Sequence, residues 1–292
     1  MISRRTFLAA AAPIANAAPK QIIDTHTHFY DPSRPQGVPW PPKTDPVLYK
    51  TVLPAQFAEM TKPFGVTGTI KVEASAWLED NQWVLDLAKD NPVIVGVVGH
   101  LDPGTKDFRT HFDRFHKNRL FLGIRLNGRT IAAGLANPQF IADVKTLAAA
   151  NLELDAIGGT DMFPTLVRLT DQVSKLRVVI NHMPFEPHGE DAAFRELGKR
   201  KRVYSKVSGV LRSINGHVPT DVAAYRAALD RLWENFGEGR LIYGSNWPVS
   251  DKVAPYRDVI GVVREYFAGK GAAASEKYFS KNSKEAYRWI AR

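Results

Sequence analysis

A single-domain α/β protein built as a (β/α)8 TIM barrel is predicted by three observations. Short β-rich runs alternate along the chain with longer amphipathic stretches. Several runs are nearly continuous in apolar residues, as in Val93-Ile94-Val95-Gly96-Val97-Val98, the pattern of strands covered on both faces by helices. Eight such runs fit into the 292 residues, which is what a closed barrel requires.

In chain order the expected strands are Gln21–Phe29, Val66–Ala74, Val93–Leu101, Phe121–Leu126, Leu152–Ile157, Arg177–His182, Val203–Ser208 and Arg240–Asn246. Each is a short run of β-branched, aromatic or aliphatic residues that ends in polar ones. Helices are expected between them, for example over Asn81–Lys89, Pro138–Ala150, Met162–Ser174, Asp191–Lys199 and Asp221–Phe236. Trp233, Phe236 and Trp289 fit packing on helix faces. A doubly wound open sheet is the competing fold, but the first turn lacks the G-x-G-x-x-G pattern of its dinucleotide-binding form. After the first strand comes a Pro-rich stretch, Pro32 to Pro46, that includes Trp40-Pro41-Pro42. It is too long for a simple connection and lies where a barrel carries its active-site loops, although a passive surface loop would read the same.

Composition narrows the class further. With 44% hydrophobic and 24% charged residues the chain is ordinary for a soluble globular protein. No run approaches the ~18 uninterrupted apolar residues of a membrane span. There is no cysteine, which excludes disulfides, thiolate metal sites and a Cys nucleophile. The net charge is +9, and Lys199-Arg200-Lys201-Arg202 is its densest run. That run has no interleaved aromatics and reads as a solvated turn, so no nucleic-acid partner is expected.

The N-terminus, Ser3-Arg4-Arg5-Thr6-Phe7-Leu8 followed by an alanine-rich run and Ala15-Asn16-Ala17, is similar to a twin-arginine export signal. Residues 1–17 are therefore expected to be a cleaved signal and 18–292 the barrel. The export machinery is an expected partner, the periplasm the expected location, and no stable membrane insertion is expected after cleavage.

Residues 22–28 read Ile-Ile-Asp-Thr-His-Thr-His. Side chains alternate faces along a strand, so Ile22, Asp24, His26 and His28 are expected to share one side. Two imidazoles at i and i+2 lie ~7 Å apart at Cβ and can converge on one ion. Other polar residues sit at the ends of the remaining strands: Lys71 and Glu73, His100 and Asp102, Arg125 and Asn127, Asp155, Asn181 and His182, Lys206 and Ser208, and Ser245 and Asn246. Polar groups at all eight ends suggest a site at the barrel's C-terminal mouth. His111, His116, His188 and His217 carry no motif, and His100 is the least bland of the remaining histidines.

Taken together, Ile23-Asp24-Thr25-His26-Thr27-His28, Gly123-Ile124-Arg125, Asn181-His182-Met183, Lys206-Val207-Ser208-Gly209 and Gly244-Ser245-Asn246-Trp247-Pro248-Val249 resemble the amidohydrolase-related barrels of amidohydrolase family 2. The lactonase branch, which includes L-fuconolactone hydrolase and 2-pyrone-4,6-dicarboxylate lactonase, is the most similar. The resemblance runs from about residue 21 to the C-terminus. It implies that His26, His28 and His182 surround the reacting centre, binding one divalent metal (zinc or manganese) where members use one and polarising the carbonyl where members work without. It implies that Arg125 holds a substrate carboxylate or ring oxygen. Glu73, Lys206, Trp40 and Trp247 join it as expected substrate-binding residues, and the substrate is expected to be a small anionic or sugar-derived molecule. No lysine ends the fourth strand, so the carboxylated-lysine bridge of binuclear relatives is absent.

One departure stands out: Asn246 occupies the position of the family's strand-eight Asp, which binds metal or takes a proton from water. An amide cannot be a general base. Asn246 is kept among the expected catalytic residues, with three readings open. Glu73, Asp155 or Asp251 supplies the base; a metal-bound water needs little help; or the chain binds without hydrolysing. The expected function is thus hydrolysis of a lactone or similar cyclic ester, with a metal-dependent decarboxylase or a silent binding protein as alternatives. Local pairings also remain open: Glu73 with Lys71, Asp155 with a neighbouring strand end, and Lys206 with one of the acids.

Overall fold

Alternation along the strands sends one set of apolar residues into the barrel and the other toward the helices. The computed structural model describes residues 19–183 and 192–292; the expected signal segment 1–17, together with His188 and Asp191, lies outside the described residues. All eight expected strands form: β1 (Ile22–Thr27), β2 (Val66–Val72), β3 (Ile94–Gly99), β4 (Phe121–Asn127), β5 (Glu153–Ile157), β6 (Arg177–Ile180), β7 (Val203–Val207) and β8 (Leu241–Tyr243). Each pairs in parallel with the next in sequence order.

Closure of the barrel falls beyond the regular end of β8. Asn246 N donates to His26 O at 2.9 Å and His28 N to Trp247 O at 2.9 Å, with a parallel bridge between Thr27 and Trp247. These bonds join the segments that carry His26, His28 and Asn246.

The helical connections match the amphipathic stretches with shifted ends. Helices run over Leu78–Asp90, Pro138–Ala149, Phe163–Gln172, Ala192–Lys199 and Arg226–Phe236. Two expected starts are 3-10 turns instead, Thr160–Met162 and Val222–Ala224; at the second, the Asp221 carboxylate accepts from Ala223 N at 2.7 Å. Such side-chain capping takes up an otherwise unpaired backbone N–H. Among the described residues no helix is long and apolar enough to cross a membrane.

The C-terminal segment closes the barrel floor. Ser280 donates to Gln21 at 3.0 Å, Arg177 to Ala286 O at 2.6 Å and Arg292 to Ile94 O at 3.0 Å, all near the N-terminal ends of strands. Tyr287 and Trp289 join the inner cluster with Ile23, Val95, Leu122 and Ile242. Trp289 was expected on a helix face and lies instead in this inner cluster. The last helix ends at Tyr287, Arg288 takes φ 62°, and the chain turns the indole inward, where it donates to Ser283 at 3.0 Å.

Gly123 on β4 faces the Glu153 backbone, and a Cβ there would lie 2.3 Å from the Glu153 carbonyl oxygen. Backbone on a barrel strand cannot give way as a flexible side chain can. Gly123→Ala is expected to destabilise the fold by about 1–3 kcal/mol, read as a lower urea midpoint at unchanged slope.

Candidate active site

The first strand does not keep its alternation. Ile22 packs with the outer cluster and Ile23 with the inner one. Asp24 faces the helical layer: it accepts from Tyr256 OH at 3.1 Å, Ser245 N at 2.9 Å and His26 N at 3.1 Å. A register shift between Asp24 and Thr27 then lets His26 and His28 turn to the mouth. The expectation that Ile22, Asp24, His26 and His28 share a face is thus corrected by a bulge, which adds backbone and re-aims the side chains. Burial raises the Asp24 pKa to about 6 against the hydrogen bonds that lower it.

His26, His28 and His182 come together from the ends of β1 and β6. The His26 ring lies 5.0 Å from His28 and 4.6 Å from His182, centroid to centroid. His182 and Asn246 both adopt left-handed backbone, φ 65° and 64°, as each chain segment leaves its strand. Asn is among the non-glycine residues that tolerate this conformation best. Burial lowers the pKa of all three histidines. The cations Lys206 and Arg125 depress His26 and His182 further, and Arg125 and Lys71 depress His28. His182 is pushed down to about 3. All three rings are uncharged at neutral pH and act as hydrogen-bonding groups.

Each ring has one nitrogen engaged. His28 Nδ1 lies 3.1 Å from Val72 O; a carbonyl only accepts, so Nδ1 carries the hydrogen and Nε2 a lone pair. His182 Nδ1 lies 3.0 Å from the Ser208 hydroxyl, which serves either tautomer. His26 Nδ1 lies 3.3 Å from Lys206 Nζ. An ammonium only donates, which places the hydrogen of His26 on Nε2, an atom that is buried and has no hydrogen-bond partner.

A three-histidine metal centre needs a free lone pair on every ring, about 2.0–2.1 Å from the ion. His28 and His182 can offer one; His26, facing an ammonium, does not. Among the described residues no group of three His, Cys, Asp or Glu is arranged to hold a metal ion. The residues as they stand do not fit a metal held by His26, His28 and His182.

Lys206 is not at the surface of the mouth. It is fully buried and forms an ion pair with Asp155 at 2.6 Å, so its ammonium is engaged by an acid instead of being presented at the surface of the mouth, as its assignment as a substrate-binding residue expected. Trp247 is corrected in the same way. Its indole is buried with Phe57 at 5.6 Å and Phe29 at 6.4 Å, because the chain at this point is pairing with β1 and turns the side chain outward. Trp40 does reach the mouth, 5.6 Å from His28 and 5.3 Å from Tyr30. The Pro-rich loop that carries it is tied down by Arg34–Asp80 at 2.9 Å and Lys252–Asp45 at 2.9 Å.

Glu73 and Arg125 meet at the mouth, 3.7 Å apart. His100 Nδ1 lies 3.6 Å from Glu73 and Nε2 3.0 Å from Asp102. Burial would lower the His100 pKa, but the two carboxylates outweigh it and hold it up. Lys71 is buried and pushed down to about 8, mainly by that burial, and feels the charges of Asp80 and Glu73. Of the three carboxylates considered in place of the missing Asp, Asp155 is sealed off under Lys206. Asp251 is raised by burial and sits by Lys50 and Trp247. Glu73 is the one of the three that faces Arg125 and His100. Tyr287, absent from the expected site, donates its hydroxyl to Asp155 at 2.7 Å.

A parallel eight-stranded barrel with a histidine cluster, an arginine and a carboxylate at the C-terminal mouth has the arrangement in which barrel enzymes carry their active sites. Residues 23–289 match the family described as Amidohydrolase (Amidohydro_2), and the chain belongs to that family. It is 27% identical over 248 residues to an L-fucono-1,5-lactonase from Burkholderia ambifaria, covering 81% of this chain and 83% of that protein. A zinc-bound amidohydrolase from Burkholderia multivorans has the same fold, with a TM-score of 0.81 at 22% identity over 92% of this chain and 100% of that one. A dihydroxybenzoic acid decarboxylase from Polaromonas with bound manganese shares it at a TM-score of 0.62 and 12% identity, over 93% of this chain and 97% of that one.

The uncharged histidines make the fold sensitive to acid. Below about pH 6.5 the unfolded chain protonates histidines that the folded protein keeps neutral, so stability falls as pH falls. His182, at about 3 when folded against 6.5, contributes a loss of about 1.4 kcal/mol per pH unit across that window. Asp24, raised from 3.8 to about 6, opposes this in part between those values, since the folded state there binds its proton first. Urea midpoints measured at pH 7 and pH 5 should differ less in His182→Asn than in the wild type.

Proposed function

We propose that the protein hydrolyses a sugar-acid lactone without a metal. The observation that carries this reading is the trio of uncharged imidazoles beside Arg125 and Glu73, in particular the buried His26 Nε2–H that lacks a partner. The lactone carbonyl oxygen accepts from that N–H, and a preformed donor in a buried site stabilises the charge that develops there. The His28 Nε2 lone pair and the Asn246 amide oxygen orient the attacking water. Glu73 takes the water's proton as its oxygen bonds to the carbonyl carbon. The ring C–O bond then breaks, and the same proton passes to the leaving oxygen, giving the open hydroxy acid. Arg125, with its planar fork, orients the ring or its hydroxyls.

The balance of charge favours a neutral, hydroxylated ring over a dicarboxylate. Arg125 already faces Glu73 and Arg34 already faces Asp80, so a second substrate carboxylate would meet an acid. The kinship with L-fucono-1,5-lactonase supports the same class. Export in the folded state by the twin-arginine route, to the periplasm, is proposed on the strength of Ser3-Arg4-Arg5-Thr6-Phe7-Leu8.

Proton release on a panel of aldono-1,5-lactones and on 2-pyrone-4,6-dicarboxylate tests the reading. Sugar lactones should turn over and the dicarboxylate should not; inactivity on every lactone in the panel would sink it. Glu73→Gln is expected to lower kcat roughly 10²–10⁴-fold with a smaller change in KM, and the double variant His26→Ala/His28→Ala to abolish turnover. Hydrolysis that appears only in Asn246→Asp would mean that the native chain binds its ligand without cleaving it.

A further inference from the structure

Beneath His26 lies a buried chain of polar groups that the proposed reaction does not use. Tyr287, from the C-terminal segment, donates to Asp155 Oδ1 at 2.7 Å. The other oxygen of Asp155 accepts from Lys206 Nζ at 2.6 Å, and Lys206 reaches His26 Nδ1 at 3.3 Å. Asp155 and Lys206 are fully inaccessible, as is Tyr287. Glu153, a buried acid two residues before Asp155, has its pKa pushed well up by burial and by Asp155. Asp155 is the acid in direct contact with Lys206, 2.6 Å from its Nζ.

A buried ion pair of this kind is a poor source of stability, because desolvating both charges offsets most of their attraction. Its geometry, however, has a chemical consequence. Neutral imidazole has one N–H and one lone pair, and the group bonded to one nitrogen dictates what the other presents. We propose that Lys206, fixed by Asp155 and Tyr287, is a positioning residue that locks His26 in the Nε2–H tautomer, making it a hydrogen-bond donor to the substrate carbonyl and disqualifying it as a metal ligand. The role of the carbonyl rests on the lactonase reading; the tautomer and the exclusion of metal do not. The barrel floor is thereby linked to the mouth. The Tyr287 hydroxyl occupies the Asp155 oxygen that Lys206 does not use.

The test needs no substrate, so its outcome is separate from that of the lactone panel. Long-range 1H–15N correlation spectra of 15N-histidine-labelled protein report the tautomer, with the His26 signals identified by their loss in His26→Asn. The wild type should show His26 protonated at Nε2, and Lys206→Met should show Nδ1–H or a mixture. Zinc titrated into the metal-free proteins should bind Lys206→Met at least tenfold more tightly than the wild type. Tyr287→Phe, a milder change, should keep the wild-type tautomer while lowering kcat severalfold at unchanged KM once a substrate is in hand. A wild-type His26 protonated at Nδ1 would overturn the proposal even if Lys206→Met failed to fold. So would a folded Lys206→Met that kept pure Nε2–H, or one that bound zinc no better than the wild type.

Discussion

A parallel barrel must bring its first and last strands together, and in this protein the closure and the active site are made by the same few residues. The backbone of His26 and His28 pairs with that of Asn246 and Trp247, while their side chains turn to the mouth. Asp24 clasps the joint from outside, accepting from Ser245 N, His26 N and Tyr256. Three hydrogen bonds to one buried carboxylate tie β1, the end of β8 and the helix Tyr256–Gly269 into a single unit. The histidines thus sit on backbone held from two strands and a helix, which limits their drift and suits a site that must be preorganised. The bulge after Asp24 aims the histidines inward.

Electrostatics at the mouth follow from that enclosure. Three imidazoles are buried together beside Arg125 and over Lys206, so protonating any one adds a positive charge to a dry, already positive environment. They remain neutral, and the surrounding field favours developing negative charge. A carbonyl turning into an oxyanion suits such a place better than an added cation does. The segment that follows β8 brings no carboxylate to shift this balance, for it carries the uncharged amide of Asn246. Other members of the fold hold zinc or manganese; in this chain the partner of His26 Nδ1 is an ammonium.

Much of the architecture was legible without coordinates. All eight strands lie where β-rich runs alternate with amphipathic stretches, because burial on both faces leaves a strong apolar signature. Their ends were less legible. The ladder assigned to Arg177–His182 stops at Ile180, and the one assigned to Arg240–Asn246 stops at Tyr243, where His182 and Asn246 lie in or next to left-handed turns. The convergence of His26, His28 and His182 at one mouth was readable from motif and strand order. Their tautomers were not, because these depend on Val72, Ser208 and Lys206, atoms brought in from other strands.

By itself, the sequence determined that the chain builds a parallel barrel and that His26, His28 and His182 gather at its C-terminal mouth, for periodicity and strand order are local properties. Only the tertiary structure decided that Lys206 lies buried on Asp155, that Trp247 packs outward on Phe57, and that Tyr287 rises from the floor beneath His26. Asp155 and Tyr287 are 132 residues apart in the chain, and Lys206 and His26 180. No pattern in a linear chain records such a contact; it exists only once the barrel has closed and the last residues have filled its floor.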